Sequence, residues 1–503
     1  MKVIAYLFAV AAVASISLLA APAVSAQAEP AMNWAGDAEG GAPYQFPDPR
    51  NPSKIIGFEV DIAEALAQRL GKSPHFVQNQ WDGLVAGLER GEYDMVIAGL
   101  EITPERLEKI NFSTPYYYST LSLTVRLDET RIRKPEDLSG HRVGTLKATL
   151  AERYLLKMPS VDVPTYDNQL HPYMDLMLGR LDAVVLDTPI ALYYAYSPQM
   201  RNVELPAEKF PIAIGIRKAD PALLAKVNAA LESMKNDGTL KAIYQRWGMY
   251  NAATADYLGD KQPVSNPNPV RYEEYLQAVQ TQRTFMERIA QYGSFLPLLL
   301  RGAAMTIMLS CAAMAIAVAL GLGLAVARAF GSRAVVWPVI AFIEVIRGTP
   351  LLIQLFIIFY GLPTIGIKLS PFWAAVIGLG INYSAYEAEN YRAGIQSIPK
   401  GHHDAAMALG LSRGQTIRRI VLPQAVRLVI PPVTNDFIAL LKDSSLVSVI
   451  TMVELTKVYG ELASTYYDYI GLGLLTASIY FLMGLPIARL SRFLETRLAY
   501  MKV

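Results

Sequence analysis

The feature that most constrains this chain is where its apolar residues lie. Runs near 303–327, 335–361, 371–390, 420–441 and 470–488 each approach the length a helix needs to cross about 30 Å of hydrocarbon. Residues 30–290 carry no comparable run and mix charged, polar and apolar residues. The 503 residues thus read as a soluble half followed by a membrane half, with five spans as the simplest count. A hydrophobic share of 52% agrees with that division, being high for a wholly soluble protein. The net charge of +2 leaves no basic footprint for nucleic acid. The shorter run at 445–453 falls below spanning length and is expected to be re-entrant or packed.

Two independent signals set the orientation. Met1-Lys2, an apolar run from Val3 to about Ala20, and Val24-Ser25-Ala26 before Gln27 have the layout of a secretory signal, expected over residues 1–26. An uncleaved anchor is the alternative, and either would export the soluble half. With the soluble half outside, the inside segments hold Arg328 and Arg333, then Arg392, Lys400, Arg413, Arg418 and Arg419, then Arg489, Arg492, Arg497 and Lys502. The outside holds only Arg301, Lys368, Lys442 and Lys457, as the positive-inside rule requires. The single cysteine, Cys311, lies in a hydrophobic run, so the exported half has neither a disulfide framework nor a lipid-anchor cysteine.

The segment from Asp404 to Pro423, DAAMALGLSRGQTIRRIVLP, is polar, basic and punctuated by glycine between two apolar runs, so it belongs in water at the cytoplasmic face. Asp404, Ala405, Ala406, Gly410, Ile420, Leu422 and Pro423 stand at the spacing of E-A-A-x3-G-x9-I-x-L-P. This resembles the coupling loop of ABC importer permeases, here over 400–423, with Asp for Glu. The resemblance implies docking of a separate ATPase subunit at Asp404, Ala405, Ala406 and Gly410. Glu344-Val345-Ile346-Arg347-Gly348-Thr349-Pro350-Leu351-Leu352-Ile353-Gln354, Tyr386-x-x-Glu389-x-x-Arg392 and Lys442-Asp443-Ser444-Ser445-Leu446 are similar to segments of the polar amino acid subgroup. Glu344 and Arg347, three apart near a helix end, are expected to pair with each other. Glu387, ionisable within a span, is a pathway candidate.

From about 55 to 250 short β-rich runs alternate with amphipathic ones. Ile62–Leu70 has helical spacing, while Met95–Leu100 and Arg142–Leu146 read as buried strands, so the half is α/β. Gly57-Phe58-Glu59-Val60-Asp61-Ile62 resembles the opening of the family 3 solute-binding proteins, which bind polar amino acids. Ala98-Gly99-Leu100-Glu101-Ile102-Thr103-Pro104-Glu105-Arg106, Asn111-Phe112-Ser113 with Pro115-Tyr116, and the closing Trp247-Gly248 continue the likeness. The implied fold is a two-lobed periplasmic-binding-protein α/β domain over 32–250, followed by an all-α transmembrane permease domain over 295–503. The lobes would cross near Val125-Arg126 and Pro206-Ala207, giving 32–125 with 208–250 and 126–207.

A zwitterion is gripped by a planar guanidinium on its carboxylate and a carboxylate on its ammonium. The resemblance places these roles on Arg106 and Asp187, with backbone groups of Gly99 and Thr149 completing the shell and Trp81 packing on the ligand side chain. Without it, Arg106 reads as a solvated surface group, Asp187 as a helix N-cap before Thr188-Pro189, and Trp81 as core. Glu101 stands where the family commonly has Ser or Thr. It either biases the pocket towards basic amino acids or pairs with Arg106 and loosens its hold on ligand. Gly41 stands near the place of a common ligand-stacking Tyr.

Residues 251–294, with Asn266-Pro267-Asn268-Pro269 and a stretch from Tyr272 to Ile289 that is polar and helical by composition, read as a linker that concentrates the binder at the gate. Five spans are half a pathway, so a homodimer or a heterodimer with a related subunit is expected in the bacterial inner membrane, the binding domain periplasmic. Leu70-Gly71-Lys72-Ser73 ends like a phosphate loop but has Leu66 where its first glycine is required. ATP is therefore expected to be used by a partner, and this chain is read as no enzyme, with no bound cofactor. His402-His403 show no metal-ligand spacing. The resulting function is the binding and membrane subunit of an ATP-driven importer for polar amino acids, basic ones included. The alternative, a ligand-gated channel or membrane sensor, would need a pore loop or signalling domain and has no use for a coupling loop. A cell-wall lyase would need a soluble catalytic domain besides.

Overall fold

A computed structural model describes residues 30–39, 41–195, 197–205, 209–280 and 285–499. The expected signal segment lies outside the described residues. The chain divides into two compact units, Glu29–Leu300 with Thr456–Thr476, and Arg301–Leu455 with Ala477–Val503.

The first unit is built on two five-stranded sheets. The strands are β1 (Ala31–Gly36), β2 (Phe46–Asp48), β3 (Asn51–Ile56), β4 (Ser73–Gln78), β5 (Met95–Val96), β6 (Ile110–Phe112) and β7 (Tyr117–Ser119). They continue as β8 (Leu121–Arg126), β9 (Val143–Leu146), β10 (Thr165–Tyr166), β11 (Ala183–Asp187), β12 (Met200–Glu204), β13 (Phe210–Ile212) and β14 (Gly215–Arg217). One sheet runs β4-β1-β5-β14-β6 and the other β10-β9-β11-β8-β12. In each, parallel strands separated by helices carry an antiparallel return. The two lobes predicted from sequence are thus present.

Their boundary differs from the expected one. Strand β8 pairs with β11 on one side and β12 on the other, and its first five residues are buried. A strand whose backbone bonds are taken on both edges belongs to the second sheet, so the crossing lies near Thr120 rather than at Val125-Arg126. The antiparallel pair β7 and β13, immediately before that crossing and after the return, forms the ribbon between lobes. The second expected crossing, Pro206-Ala207, lies outside the described residues.

The expected linker is helical in its second stretch, as its composition suggests, and it packs onto the binding fold. Residues 251–294 contain helices Ala252–Leu258 and Val270–Gln280 and the start of Phe285–Phe330. Tyr275 is buried, with its ring centroid 4.8 Å from that of Tyr193 and 5.7 Å from that of Phe46. Tyrosine counts as polar in a composition reading yet buries a large ring while keeping its hydroxyl on a partner. That is why this segment packs onto the binding fold.

The second unit is helical. Among the described residues two helices, Phe285–Phe330 and Tyr469–Ala499, contain stretches long and apolar enough to cross a membrane. Arg333–Gly348 and Leu351–Ile365 qualify only as a pair, bent by 106°. Helices Pro371–Gln396 and Leu422–Asp443 have spanning length, 26 and 22 residues, but are not in that apolar set. The five expected spans thus correspond to two apolar helices, one bent pair and two further helices of spanning length. Asn382, Ser384 and Glu387 are buried in protein, where hydrophobicity along the sequence is a poor guide. The run after Lys442 forms a tight helical segment, Ser444–Ile450, with Val447 and Ile450 fully buried.

Candidate functional site

Arg106 owes its position to the turn before it. Thr103 caps the helix Pro104–Lys109 by accepting from the Arg106 backbone N–H at 3.3 Å, with Pro104 in the first turn, where its missing N–H costs nothing. The guanidinium then reaches across the cleft. Its Nη2 donates to the Ala148 carbonyl at 3.1 Å, and Nη1 donates to the Glu101 carbonyl at 3.0 Å and to the Glu101 carboxylate. The guanidinium carbon lies 5.1 Å from the centroid of the Trp81 ring, so Trp81 supports the clamp as well as lining the cavity.

Glu101 is 1% exposed, and its second carboxylate oxygen accepts from the Leu150 N–H at 3.1 Å. Of the two readings open in the sequence, the structure realises the pairing with Arg106.

Asp187 ends β11 and is 7% exposed. It sits at the N-cap position of helix Thr188–Tyr194, yet its side chain makes no cap hydrogen bond. It accepts instead from the Tyr44 hydroxyl at 3.2 Å, across the cleft. Burial, reinforced by the nearby Glu101 charge, holds its carboxyl well above the usual range, against the opposing bond from Tyr44. Tyr44 is the site residue that sequence reading missed; the displaced signal was an aromatic three positions after Gly41.

Of the two expected backbone groups, that of Gly99 is already engaged. The Gly99 N–H donates to Glu59 Oε1 at 2.6 Å, so it is not offered to a ligand. Gly99 is needed for shape: its φ is +65°, and a Cβ there would come within 2.9 Å of the Tyr44 ring. Thr149 spends its hydroxyl on the Leu146 carbonyl at 2.7 Å and on capping the helix that begins at Leu150. Beyond them Asp37, Glu39, Tyr44, Gln45, Trp81, Leu146 and Asp167 border a small cavity. Asp37 fixes its wall by accepting from the Trp81 N–H at 3.0 Å. Lys147 bridges Asp82, at 3.0 Å, and Asp167. In the same compact unit Lys457 donates to Glu39 at 2.6 Å.

In the other unit, Asp404, Ala405 and Ala406 lie on the helix Lys400–Ala408. Gly410, at φ +80°, ends it: its N–H donates to the Met407 carbonyl at 2.9 Å and that of Leu411 to the Ala406 carbonyl at 3.1 Å. Ala406 is buried, whereas Asp404 and Ala405 are exposed and Leu409 is 83% exposed.

Residues 35–250 match bacterial extracellular solute-binding proteins, family 3, and residues 317–500 match the binding-protein-dependent transport system inner membrane component. The glutamine transport system permease protein GlnP of Escherichia coli K12 is 38% identical over 205 residues, 40% of this chain and 94% of GlnP. The chain belongs to the amino-acid ABC transporter permeases. Its binding half is 35% identical over 210 residues to the L-cystine-binding protein TcyJ of Escherichia coli K12, 41% of this chain and 78% of TcyJ. An ancestral arginine-binding protein bound to glutamine matches 44% of this chain and 98% of its own, at 34% identity and a TM-score of 0.41. This importer therefore joins a binding domain and an inner-membrane permease domain in one polypeptide.

The permease motifs serve its helix bend. Gln354 donates to the Ile346 carbonyl at 2.8 Å and the Thr349 hydroxyl at 2.8 Å, and accepts from Asn382 at 3.0 Å. Those bonds hold the 106° break. The expected Glu344–Arg347 pair is not among the ion pairs of the described residues; Arg347 lies over the Tyr386 ring, 5.3 Å from its centroid. Glu389 bonds Arg392 at 2.6 Å and also pairs with Arg328. Glu387 is buried against Gly321, where an added Cβ would come within 2.6 Å of its own Cβ. Gly71-Lys72-Ser73 follows a helix and leads into β4, the reverse of the strand-to-helix order of a phosphate loop.

Proposed function

We propose that this permease family member imports polar amino acids from the periplasmic side, binding them between its lobes through Arg106 and Asp187 and drawing on ATP hydrolysed by a separate ATPase subunit. The observation that carries the ligand reading is the opposition of one half-buried guanidinium and one buried carboxylate, each bonded across the cleft. An α-carboxylate answers the first and an α-ammonium the second. Asp187 supports this further, because burial raises its carboxyl pKa and a docked cation would oppose that shift by favouring the charged form. The glutamine permease GlnP and the L-cystine-binding protein TcyJ point to the same chemical class. The exposed face of Lys400–Ala408, ended by Gly410, is the docking site for the ATPase, and two permease domains assemble around one path.

The test is uptake by the full chain, reconstituted in vesicles with its ATPase subunit, for radiolabelled arginine, lysine, glutamine and cystine. The expected result is ATP-dependent accumulation of at least one, with Asp404→Lys abolishing accumulation and leaving ligand-induced thermal stabilisation intact. Ligand-gated ion current without accumulation would favour the channel reading instead.

A further inference from the structure

Glu101 occupies a place that the amino-acid reading assigns to a ligand. One oxygen of its carboxylate takes the Arg106 guanidinium, which comes from the first lobe. The other takes the Leu150 backbone N–H, at 3.1 Å, from the second lobe. A guanidinium and an N–H on opposite walls of the cleft are the donors an incoming α-carboxylate needs, and Glu101 already holds both.

The arrangement is built rather than incidental. Glu101 bridges to Ile212 on β13, and Ile102 donates to the Pro211 carbonyl while Ala213 donates to the Leu100 carbonyl, so the backbone carrying the side chain is pinned to the ribbon between lobes. The Glu101 side chain is 2% exposed and that of Arg106 is 14% exposed. In that setting two carboxylates cannot share one guanidinium at low cost, since the second would stand unpaired beside a like charge. Asp187 feels the same charge.

We propose that Glu101 is a tethered competitor: its carboxylate occupies the ligand-carboxylate position on Arg106 and the Leu150 N–H, and an amino acid binds by displacing it. The proposal rests on the amino-acid reading of this cleft. Its consequence is a specificity rule. Affinity for an α-amino acid carries the cost of exchange, whereas an amine of the same side chain without the carboxylate binds with Glu101 in place.

Matched pairs test this by calorimetry on the full chain in nanodiscs: arginine with agmatine, lysine with cadaverine, and glutamine with 4-aminobutanamide. In Glu101→Ser the amino acid of the bound pair is expected to gain about tenfold or more in affinity, the scale of a charge-assisted bond, and its amine to change by less than about threefold. Glu101→Gln keeps the size and one acceptor but loses the charge, and is expected to shift the amino acid to amine ratio in the same direction. Amino-acid affinity that is unchanged or lower in both variants, with the amine still bound, overturns the proposal alone and makes Glu101 a positioning residue for Arg106. If neither the wild type nor a variant binds any amino acid of the set, the proposal falls together with the amino-acid reading.

Discussion

At the scale of single residues the cleft is governed by charges that burial makes expensive. Removing the Arg106 side chain would leave Glu101 charged and unpaired at 1% exposure, so an alanine variant confounds binding with folding. Arg106→Lys keeps the charge and discards the planar fork. It is expected to weaken amino-acid binding by about tenfold or more with little change in unliganded thermal midpoint, as calorimetry and a melting scan would show. Glu59 gives a pH signature of its own. Burial pushes its carboxyl up to about 8, against bonds from Tyr116 and the Gly99 N–H, so the folded chain binds a proton there that the unfolded chain releases near 4.5. The folded state therefore holds more protons across that window, and its stability falls as pH rises from about 4.5 to about 8, by at most ~1.4 kcal/mol per pH unit. Glu59→Gln should lose this component, so the difference in thermal midpoint between variant and wild type should grow from pH 5.5 to pH 8.

At the scale of elements, function falls on terminations and breaks. The helix Lys400–Ala408 presents Asp404 and Ala405 because Gly410 turns the chain at φ +80° and lets the Gly410 and Leu411 amides close on the Met407 and Ala406 carbonyls. A Cβ at Gly410 would meet nothing within 4 Å, so the cost of a side chain is wholly one of backbone conformation, about 1–2 kcal/mol. Gly410→Val is expected to speed hydrogen exchange at those two amides and to weaken capture of the ATPase subunit, leaving exchange in the binding domain unaltered. Elsewhere Gln354 performs a comparable task on the other side of a break, supplying bonds to backbone and side chain where the bent helix pair loses its own.

At the scale of the whole molecule, a fused binder and permease brings one cleft for every permease domain. A transporter made of two identical chains then carries two clefts, and one made with a related subunit carries one. Cys311 is the single cysteine, and it is exposed in the isolated chain. A spin label there should give a dipolar signal between two Cys311 positions in the purified transporter if it is a homodimer. A heterodimer with a cysteine-free partner gives none.

The patterns with short-range causes were legible in the sequence: the division into α/β and helical halves, the helix up to Leu70, and the buried strand ending at Leu146. Each rests on local periodicity or on a residue's own conformational preference, which neighbours in sequence suffice to express. The settings decided by distant chain segments were not. Strand β8 belongs to the second lobe because β11 and β12 close both of its edges, and the linker packs because Tyr275 meets Tyr193 and Phe46. Helices of spanning length hide their polar residues against one another, Gly99 gives its N–H to Glu59, and Tyr44 replaces the aromatic expected near Gly41. The sequence by itself singled out Arg106, Glu101 and Asp187, while Asp37, Glu39 and Asp167 came to the cavity only through the fold. Only the tertiary structure decided which of them face each other: Arg106 meets Glu101 within one lobe, but the Leu150 bond to Glu101 and the Tyr44 bond to Asp187 join partners 49 and 143 residues apart across the cleft.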